Sequence, residues 1–367
     1  MRRSMVVRWW CRERAGGFPA QVLRGLGQVM FLGSPWTGAV FGLAVALADW
    51  RYAVYAAGGA ALGTGTAHVL GVSRDRLDQG LEGFNSALAA LCCAALLGPA
   101  RPSTALLAAA ACAVVTVFTA ATVRLLRVWS LPPLTLPYCA LAVAVSAAAP
   151  ASPRIRPYDG GLPAPPAAPG PTGLHLDEAV RAFFHNVSQL FFLERWYVGA
   201  LLLVAVFLAD RTAGLAACAG SATGVLTAWA LGAPAARIAD GTMGCNAVLV
   251  AMALCGVFLP AAPATLLYAL LGAATATLLT PAVAALPAPS GGHAFTWPFV
   301  LTTLGFLAAA RSFPRLPRRG EDPPAHPPSF RGRYGLPRGK ATDEELGRAQ
   351  DPARAKFSSP EWTARVP

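Results

Sequence analysis

The sequence contains two related halves, and their alignment restricts the possible folds more than any other feature. The stretch "GLGQVMFLGSPWTG" begins at Gly25, and "NVSQLFFLERWYVG" begins at Asn186. We call the difference between these two positions the repeat offset. The same offset relates matching residues through the rest of both halves, without a gap. It matches Gln28 with Gln189, Phe31 with Phe192, Gly38 with Gly199, Asn85 with Asn246, Pro99 with Pro260, and Thr135 with Thr296. Matches of this kind at one constant spacing predict an internal duplication.

The composition is that of a membrane protein. Of the 367 residues, 55% are hydrophobic and only 13% are charged, and the mean hydropathy is +0.48. The segments "SALAALCCAALLG" (86–98) and "TALLAAAACAVVTVFTAATV" (104–123) contain no charged residue. Runs approaching 20 apolar residues are long enough to cross a bilayer as helices. The chain is therefore expected to be an all-α integral membrane protein.

Each half is expected to cross the membrane five times, giving about ten spans. A short amphipathic segment around each glutamine, about a dozen residues long, is too short to span. Apolar runs then begin near Trp36, Tyr52, Ser86, Thr104 and Leu136, and near Tyr197, Thr212, Ala247, Pro263 and Trp297. An odd number of spans per repeat forces the halves into opposite orientations. Such inverted repeats usually place a substrate path at their interface near the bilayer midplane.

Charge and proline content predict the boundaries and the topology. We expect a basic N-terminus (1–20), a first membrane repeat (21–150), a Pro/Gly-rich connector (151–177), a second membrane repeat (178–310) and a basic, Pro-rich, disordered tail (311–367). The net charge of +12 is concentrated at the two ends. Basic residues that flank spans mark cytoplasmic ends, which predicts a multi-pass plasma-membrane protein with both termini cytoplasmic. This charge favours contact with anionic membrane lipid over nucleic acid.

The sequence lacks the patterns of an enzyme or a metal protein. Its eight cysteines form no C-x-x-C pair, and His68, His185 and His293 lie in unrelated contexts. The segment "GTGTAHVLG" lacks the Gly-Lys-Ser/Thr of a P-loop. No nucleophile and base set is evident either. We therefore expect no catalytic residue, no metal and no cofactor.

Three matched pairs of residues are candidates for a solute path. The pairs are Gln28 with Gln189, Phe31 with Phe192, and Thr135 with Thr296. Polar groups inside a membrane are costly unless they pack into protein or line a path. A single glutamine most often joins two helices, but the duplication favours a shared function. The phenylalanines, three residues after each glutamine, are expected on the same helical face. Amide and hydroxyl oxygens between aromatic faces suit a small, uncharged, planar solute.

Other matched polar residues are expected to have structural roles. Asn85 in "GFN" and Asn246 in "GCN" precede apolar runs and are expected to cap the helices that follow. Asp49 and Asp210 stand at span ends, where they would face headgroups or cap a helix.

Several motifs together resemble the urea transporter family. They are "GQVMFLGSPWTG", "GLEGFNSALAAL" and "LPPLTLPYC" in the first half, with "SQLFFLERWYVG", "GTMGCNAVLVAM" and "HAFTWPF" in the second. The resemblance covers about residues 20–310. It implies a passive, channel-like urea facilitator built from two inverted five-span repeats, each with a short re-entrant helix. It also implies a homotrimer with one pore in each protomer.

The resemblance also assigns pore residues. By position, Gln28 and Gln189 would begin ladders of oxygen atoms, and Thr135 and Thr296 would line the narrow centre. The walls of the slots for planar urea would be Phe31, Phe192, Phe84, Leu88 and Leu249. Cys245 would also line the pore, opposite Phe84, where an aromatic residue is common in the family. The family's Asn-Pro is replaced by Ser34-Pro35 in the first half and by Glu194-Arg195-Trp196 in the second.

An ion- or proton-coupled carrier of a small amide is the alternative function. It would share the repeat architecture but would need a titratable coupling site. Glu82 and Glu194 are the nearby acidic candidates, and neither has an acidic counterpart at the matching position of the other half.

Overall fold

In the computed structural model, the described residues 17–150, 170–286, 293–314 and 316 form a helical structure without strands. They belong to one compact unit, Met1–Glu321. The predictions for the N-terminus and for most of the connector and the tail fall outside these residues. In the first half the helices are α1 (Phe18–Gln28), α2 (Pro35–Ala48), α3 (Trp50–Val69), α4 (Arg74–Asp78), α5 (Phe84–Leu97), α6 (Pro102–Leu126) and α7 (Leu136–Ala148).

The second half repeats this order of helices. It contains α8 (Leu176–Ser188), α9 (Trp196–Ala209), α10 (Arg211–Ala230), α11 (Ala235–Ala239), α12 (Cys245–Met252), α13 (Pro263–Ala285) and α14 (Trp297–Ala310). When the two halves are aligned by the repeat offset, every helix from α2 to α7 begins at the same position as its counterpart in the second half. For example, Pro35 begins α2, and its match Trp196 begins α9. The duplication read from the sequence is therefore also present in the helix boundaries.

Local sequence explains where these helices begin. Pro35, Pro102 and Pro263 are the first residues of α2, α6 and α13, where the missing N–H of proline costs no hydrogen bond. Asp49 caps α3 by accepting a bond from the Arg51 N–H at 2.8 Å, and Asp210 caps α10 in the same way. Of the two roles expected for these aspartates, helix capping is thus confirmed.

The outer surface of the helices is apolar. Large exposed hydrophobic side chains include Trp36 on α2, which is 69% exposed, and Leu208 on α9, which is 83% exposed. The polar side chains of Ser86, Thr116 and Thr277 are instead fully buried between helices. This distribution is the opposite of that in a water-soluble protein and is typical of a protein surrounded by lipid.

Within the described residues, three helices are long and apolar enough to qualify as membrane spans. They are Pro102–Trp129, Arg211–Ala230 and Pro263–Ala285. The segments Leu176–Phe191 and Trp196–Ala209 meet at 78° and together qualify as a fourth, either as a broken span or as a re-entrant loop. Other apolar helices are shorter than these candidate spans. Helix α5, for example, has 14 residues and is only about 21 Å long. The structure supports a helical membrane protein, and the count of ten spans stays a prediction.

The two halves meet through corresponding helices. Helix α2 packs against α9, its counterpart, and α7 packs against α14, its counterpart. Between the halves, the ring of Phe41 on α2 lies 5.8 Å from that of Phe191, which stands in the turn before α9, and the two rings meet edge to face. One hydrophobic core cluster includes buried residues of both halves. The halves therefore share a core.

The main difference between the halves is a broken helix. Helix α5 runs without interruption to Leu97, whereas α12 ends at Met252 and passes into a distorted turn. Within this turn Cys255 is extended and Gly256 has a φ of 111°. A side chain would disfavour that conformation, and the first half has Ala95 at the position that matches Gly256.

Candidate functional site

Both candidate glutamines hold a helix end in place. Gln28 Nε2 donates to the Gln79 carbonyl at 2.9 Å, and Gln189 Nε2 donates to the Asp240 carbonyl at 2.8 Å. Gln79 and Asp240 follow the short helices α4 and α11, whose last carbonyls have no partner within the helix. These bonds use the amide nitrogens and leave the Oε1 atoms, which can only accept, outside the contact.

A second matched pair, missed by the sequence analysis, strengthens this attachment. Arg24 donates to the Asp78 carbonyl at 2.9 Å, and His185 Nδ1 donates to the Ala239 carbonyl at 2.7 Å. Arg24 and His185 occupy matching positions of the repeat, as do the two residues that supply the carbonyls. The residue types differ, so no identity in the alignment revealed the pair. Each glutamine is thus one of two side chains, one helical turn apart, that bind consecutive carbonyls.

The predicted placement of the phenylalanines is wrong. Phe31 and Phe192 do not share a helical face with the glutamines, because both lie beyond the end of the glutamine helix with φ values of 62° and 61°. The bond from Leu32 N–H to the Gly27 carbonyl, 3.0 Å long, closes a left-handed helix ending. Glycine normally occupies this position. The presence of phenylalanine there, twice, points to a need for the ring.

Phe31 is surrounded by aromatic rings of the other half. Its ring lies 6.1 Å from those of both Phe258 and Phe299, with edge contacts in each case. Phe258 follows the distorted turn after α12 and was not predicted as a site residue. The matching residue in the first half is Leu97, so the sequence repeat contained no signal for it. The broken helix therefore supplies Phe31 with an aromatic neighbour that has no aromatic match in the first half.

The backbone at Phe31 leads to a prediction about stability. We expect Phe31→Gly to be more stable than Phe31→Ala by about 1 kcal/mol, because a Cβ costs roughly 1–2 kcal/mol in the left-handed region. Both variants lose the same ring, so the comparison isolates the backbone. Thermal unfolding in detergent would measure the difference. Equal stability, or a more stable Phe31→Ala, would contradict a left-handed Phe31. Ala53, in the helical segment of α3, provides the control, since there Ala53→Gly should be the less stable form.

The two candidate threonines meet at the interface of the halves. The hydroxyl oxygens of Thr135 and Thr296 are 2.7 Å apart. Each threonine is the residue before a helix, α7 or α14, and Pro137 and Pro298 are the second residues of those helices. The prolines therefore lie where a helix begins. This contact joins two matched residues from different halves directly.

The asparagines do not cap the helices in which they lie, which corrects the prediction. Asn85 and Asn246 lie inside α5 and α12, and each donates through Nδ2 to the carbonyl of Leu134 or Phe295 at 3.3 Å. Asn246 Oδ1 also accepts from the Phe299 N–H in the first turn of α14. Their role is structural, as expected. They brace the loops that carry Thr135 and Thr296, a tertiary contact that neighbouring sequence does not reveal.

The apolar candidates gather around one core. Leu88 and Leu249 are buried members of the hydrophobic cluster that both halves share. Phe84, Phe192 and Cys245 are partly buried and pack against the same cluster, as does Phe31. Phe84 and Cys245 are the first residues of α5 and α12, so these matched positions carry an aromatic ring in one half and a thiol in the other.

The second glutamine has an acidic neighbour that the first half does not match. Gln189 Nε2 is 3.4 Å from the exposed Glu194 carboxylate, whereas glycine matches Glu194 in the first half. Burial raises the pKa of the neighbouring Asp240 carboxyl, although hydrogen bonds from Thr242 and the charge of Arg237 lower it. The Glu194 charge also raises this pKa. The two glutamines therefore have different acidic neighbours.

Glu82 is held in an ion pair. Its carboxylate is buried and accepts from the Arg76 guanidinium at 2.6 Å through both Nε and a terminal nitrogen. Arg76 lies on α4 and is partly exposed. Breaking a buried ion pair by removing one partner leaves an uncompensated buried charge, so this pairing holds the Glu82 carboxylate in place. This contact gives Glu82 a structural role.

The all-helical fold and the apolar outer surface define a helical membrane protein. The family model described as "Urea transporter" matches residues 20–311, and the chain belongs to the urea transporter family. Members of this family carry urea across membranes and are not enzymes. The family resemblance inferred from the sequence motifs is thereby confirmed.

Curated relatives agree with this assignment. The chain is similar to urea transporter 1 of Ovis aries, with 27% identity over 316 residues that cover 84% of this chain and 81% of the relative. It is 28% identical to urea transporter 1 of Capra hircus over 315 residues, with the same coverage. The match to urea transporter 1 of Rattus norvegicus is 28% over 302 residues, 81% of this chain and 78% of the relative.

Proposed function

We propose that this protein conducts urea passively through a pore between its two halves. The observation that carries the proposal is the 2.7 Å contact between the hydroxyls of Thr135 and Thr296. Two matched atoms at this distance lie close to any two-fold axis that relates the halves. The contacts of α2 with α9 and of α7 with α14 also join counterparts, which supports the same axis.

The orientation of that axis follows from the expected topology. With five spans in each half and about ten in total, the halves have opposite orientations and the axis lies in the membrane plane. A path along the interface would then be narrowest at the threonines and would meet one glutamine on either side. Gln28 is the last residue of α1, and Gln189 directly follows α8. We assign these two short helices as re-entrant. Inverted repeats of this kind are common in transporters.

The path is suited to urea because its oxygen atoms can take the place of the water molecules that hydrogen-bond to urea in solution. Urea has four N–H groups and one carbonyl, and leaving water costs free energy unless these groups find partners. Gln28 and Gln189 have free Oε1 acceptors, since their amide nitrogens hold backbone carbonyls. The threonine hydroxyls both donate and accept. The faces of urea would contact Phe31, Phe84 and Phe192, with Leu88, Leu249 and Cys245 completing the slot walls.

A coupled carrier is less well supported by these contacts. Glu82 is committed to Arg76, and Glu194 is exposed. Neither carboxylate lies between the halves in the way that the threonines do. We therefore propose conduction down the urea gradient, without coupling to protons or sodium.

The wider organisation is part of the same proposal. We place the protein in the plasma membrane as a multi-pass protein with both termini cytoplasmic, with membrane repeats over 21–150 and 178–310. The segments 1–20, 151–177 and 311–367 form the basic N-terminus, the connector and the basic tail. The resemblance to urea transporters supports a homotrimer with one pore in each protomer. The exposed apolar residues of α2 and α9 offer surfaces for lipid or for neighbouring protomers.

Light scattering from proteoliposomes tests this function. Liposomes that contain the purified protein should equilibrate urea at least about tenfold faster than empty liposomes. The rate should not change when a proton or sodium gradient is imposed. A rate that follows either gradient would support the coupled carrier, and a rate equal to that of empty liposomes would contradict urea conduction. Liposomes with an unrelated membrane protein control for leakage.

A further inference from the structure

A cysteine completes the polar group at the threonine contact. Cys139 lies one helical turn after Thr135 on α7, and its N–H bonds to the Thr135 carbonyl at 2.9 Å. Its side chain is fully buried. The Sγ atom is 3.1 Å from Thr296 Oγ1 and 3.9 Å from Thr135 Oγ1. The group between the halves therefore has three members, and two of them come from the first half.

The third member has no polar counterpart. Val300 matches Cys139 in the second half, where it occupies the equivalent place on α14 and is fully buried. A valine cannot donate to or accept from a hydroxyl. The contact between the halves is therefore asymmetric. Thr296 has the thiol of Cys139 from the other half as a polar neighbour, whereas the matching residue on α14, Val300, cannot provide one to Thr135. Val300 also shows that a branched apolar side chain fits at this point of the repeat.

We infer that Cys139 is a positioning residue for urea, acting through Thr296; this inference rests on the proposed urea pore. A thiol that donates to Thr296 Oγ1 directs the Thr296 hydroxyl hydrogen toward Thr135 Oγ1, which lies 2.7 Å away. The Thr135 hydroxyl hydrogen is then free for the carbonyl of urea. One lone pair on each threonine oxygen remains available to accept a hydrogen bond from an N–H group of urea.

The weakness of the thiol is suited to this role. A thiol is a poor donor and a poor acceptor, so it biases the direction of the Thr296 hydroxyl without competing strongly with a solute. A charged or strongly bonding partner would hold the threonine more firmly and slow the exchange of bonds. Conduction requires contacts that form and break easily. Cys139 would thus order the constriction for a small planar amide.

Three variants test the inference by urea flux in proteoliposomes. Cys139→Val should lower urea permeability about three- to tenfold, the effect of losing one ordinary hydrogen bond. Cys139→Ser should remain within about twofold of the parent, because a hydroxyl keeps the bond to Thr296. In a Thr296→Val background, Cys139→Val should have little further effect, since residues that act through one another are not additive. If Cys139→Val accumulates poorly, Cys139→Ala takes its place.

The outcomes separate this inference from the proposed pore. If Thr296→Val lowers the flux and Cys139→Val does not, the role of Cys139 is wrong and the pore stands. A loss that persists unchanged in the Thr296→Val background also overturns it, because a purely structural role would behave in that way. If no threonine or cysteine variant changes the flux, both the inference and the proposed path are wrong.

Discussion

Replacing both threonines between the halves, Thr135→Val with Thr296→Val, is expected to lower urea permeability about 100-fold. Each replacement removes a hydroxyl and leaves a polar group of urea without a partner, which costs about 1–3 kcal/mol. Two losses of about 1.4 kcal/mol correspond to a factor of about 100. Stopped-flow light scattering of proteoliposomes with equal protein content measures the effect. Valine keeps the size and branching of threonine, so the shape of the site is retained.

Matched controls make this result specific. Thr135→Ser with Thr296→Ser keeps both hydroxyls and should keep most of the flux. Thr275→Val removes an exposed hydroxyl on α13 that bonds only within its own helix, to the Leu271 carbonyl, and should conduct like the parent. A double valine variant that conducts like the parent would show that the solute path lies elsewhere.

Alanine at Gly38 is expected to prevent the correct docking of the glutamine helix. A Cβ at Gly38, on α2, would overlap the carbonyl oxygen of Leu23 on α1. The obstacle is backbone, so it cannot rotate away, and we expect a loss of about 3 kcal/mol or more. In thermal unfolding, this would lower the midpoint by several degrees or prevent accumulation of the protein. Urea flux should fall with it, because Gln28 lies on the displaced helix.

The repeat provides a second test of the same contact. A Cβ at Gly199 would overlap the carbonyl oxygen of Phe184, the residue that matches Leu23, so Gly199→Ala should have a similar effect. Gly58 on α3 has no atom within 4 Å of an added Cβ. Gly58→Ala should therefore be neutral or slightly stabilising in a helix. Unchanged stability in both Gly38→Ala and Gly199→Ala would contradict this packing of the two glutamine helices.

Much of the fold was available from the sequence because it depends on local patterns. Apolar runs placed the starts of the helices within two residues, for example Trp36 against the observed Pro35 and Leu136 at its observed position. The matched glutamines and threonines were found by counting along one offset. Contacts that the two halves make with different residue types at matching positions were not found in this way. Arg24 and His185 perform the same task with different side chains, so the alignment contained no identity to mark them.

The left-handed phenylalanines show a different limit. A sequence pattern with Phe three residues after Gln indicates one helical face, provided that the helix continues. The helix instead ends at the glutamine, and Phe31 occupies a conformation in which glycine is the usual residue. Local propensity therefore pointed away from the observed backbone. The tertiary packing of Phe31 against Phe258 and Phe299 stabilises what the local sequence disfavours.

By itself, the sequence determined the membrane class, the duplication and the family, because hydropathy and a constant offset are properties of the chain alone. The tertiary structure decided which matched residues meet. Thr135 and Thr296 belong to different halves of the chain, yet their hydroxyls are in contact, and Cys139 joins them from one side only. Such contacts depend on how α7 packs against α14. The sequence pattern identifies the residues of each half, but only the packing of the two halves brings them together.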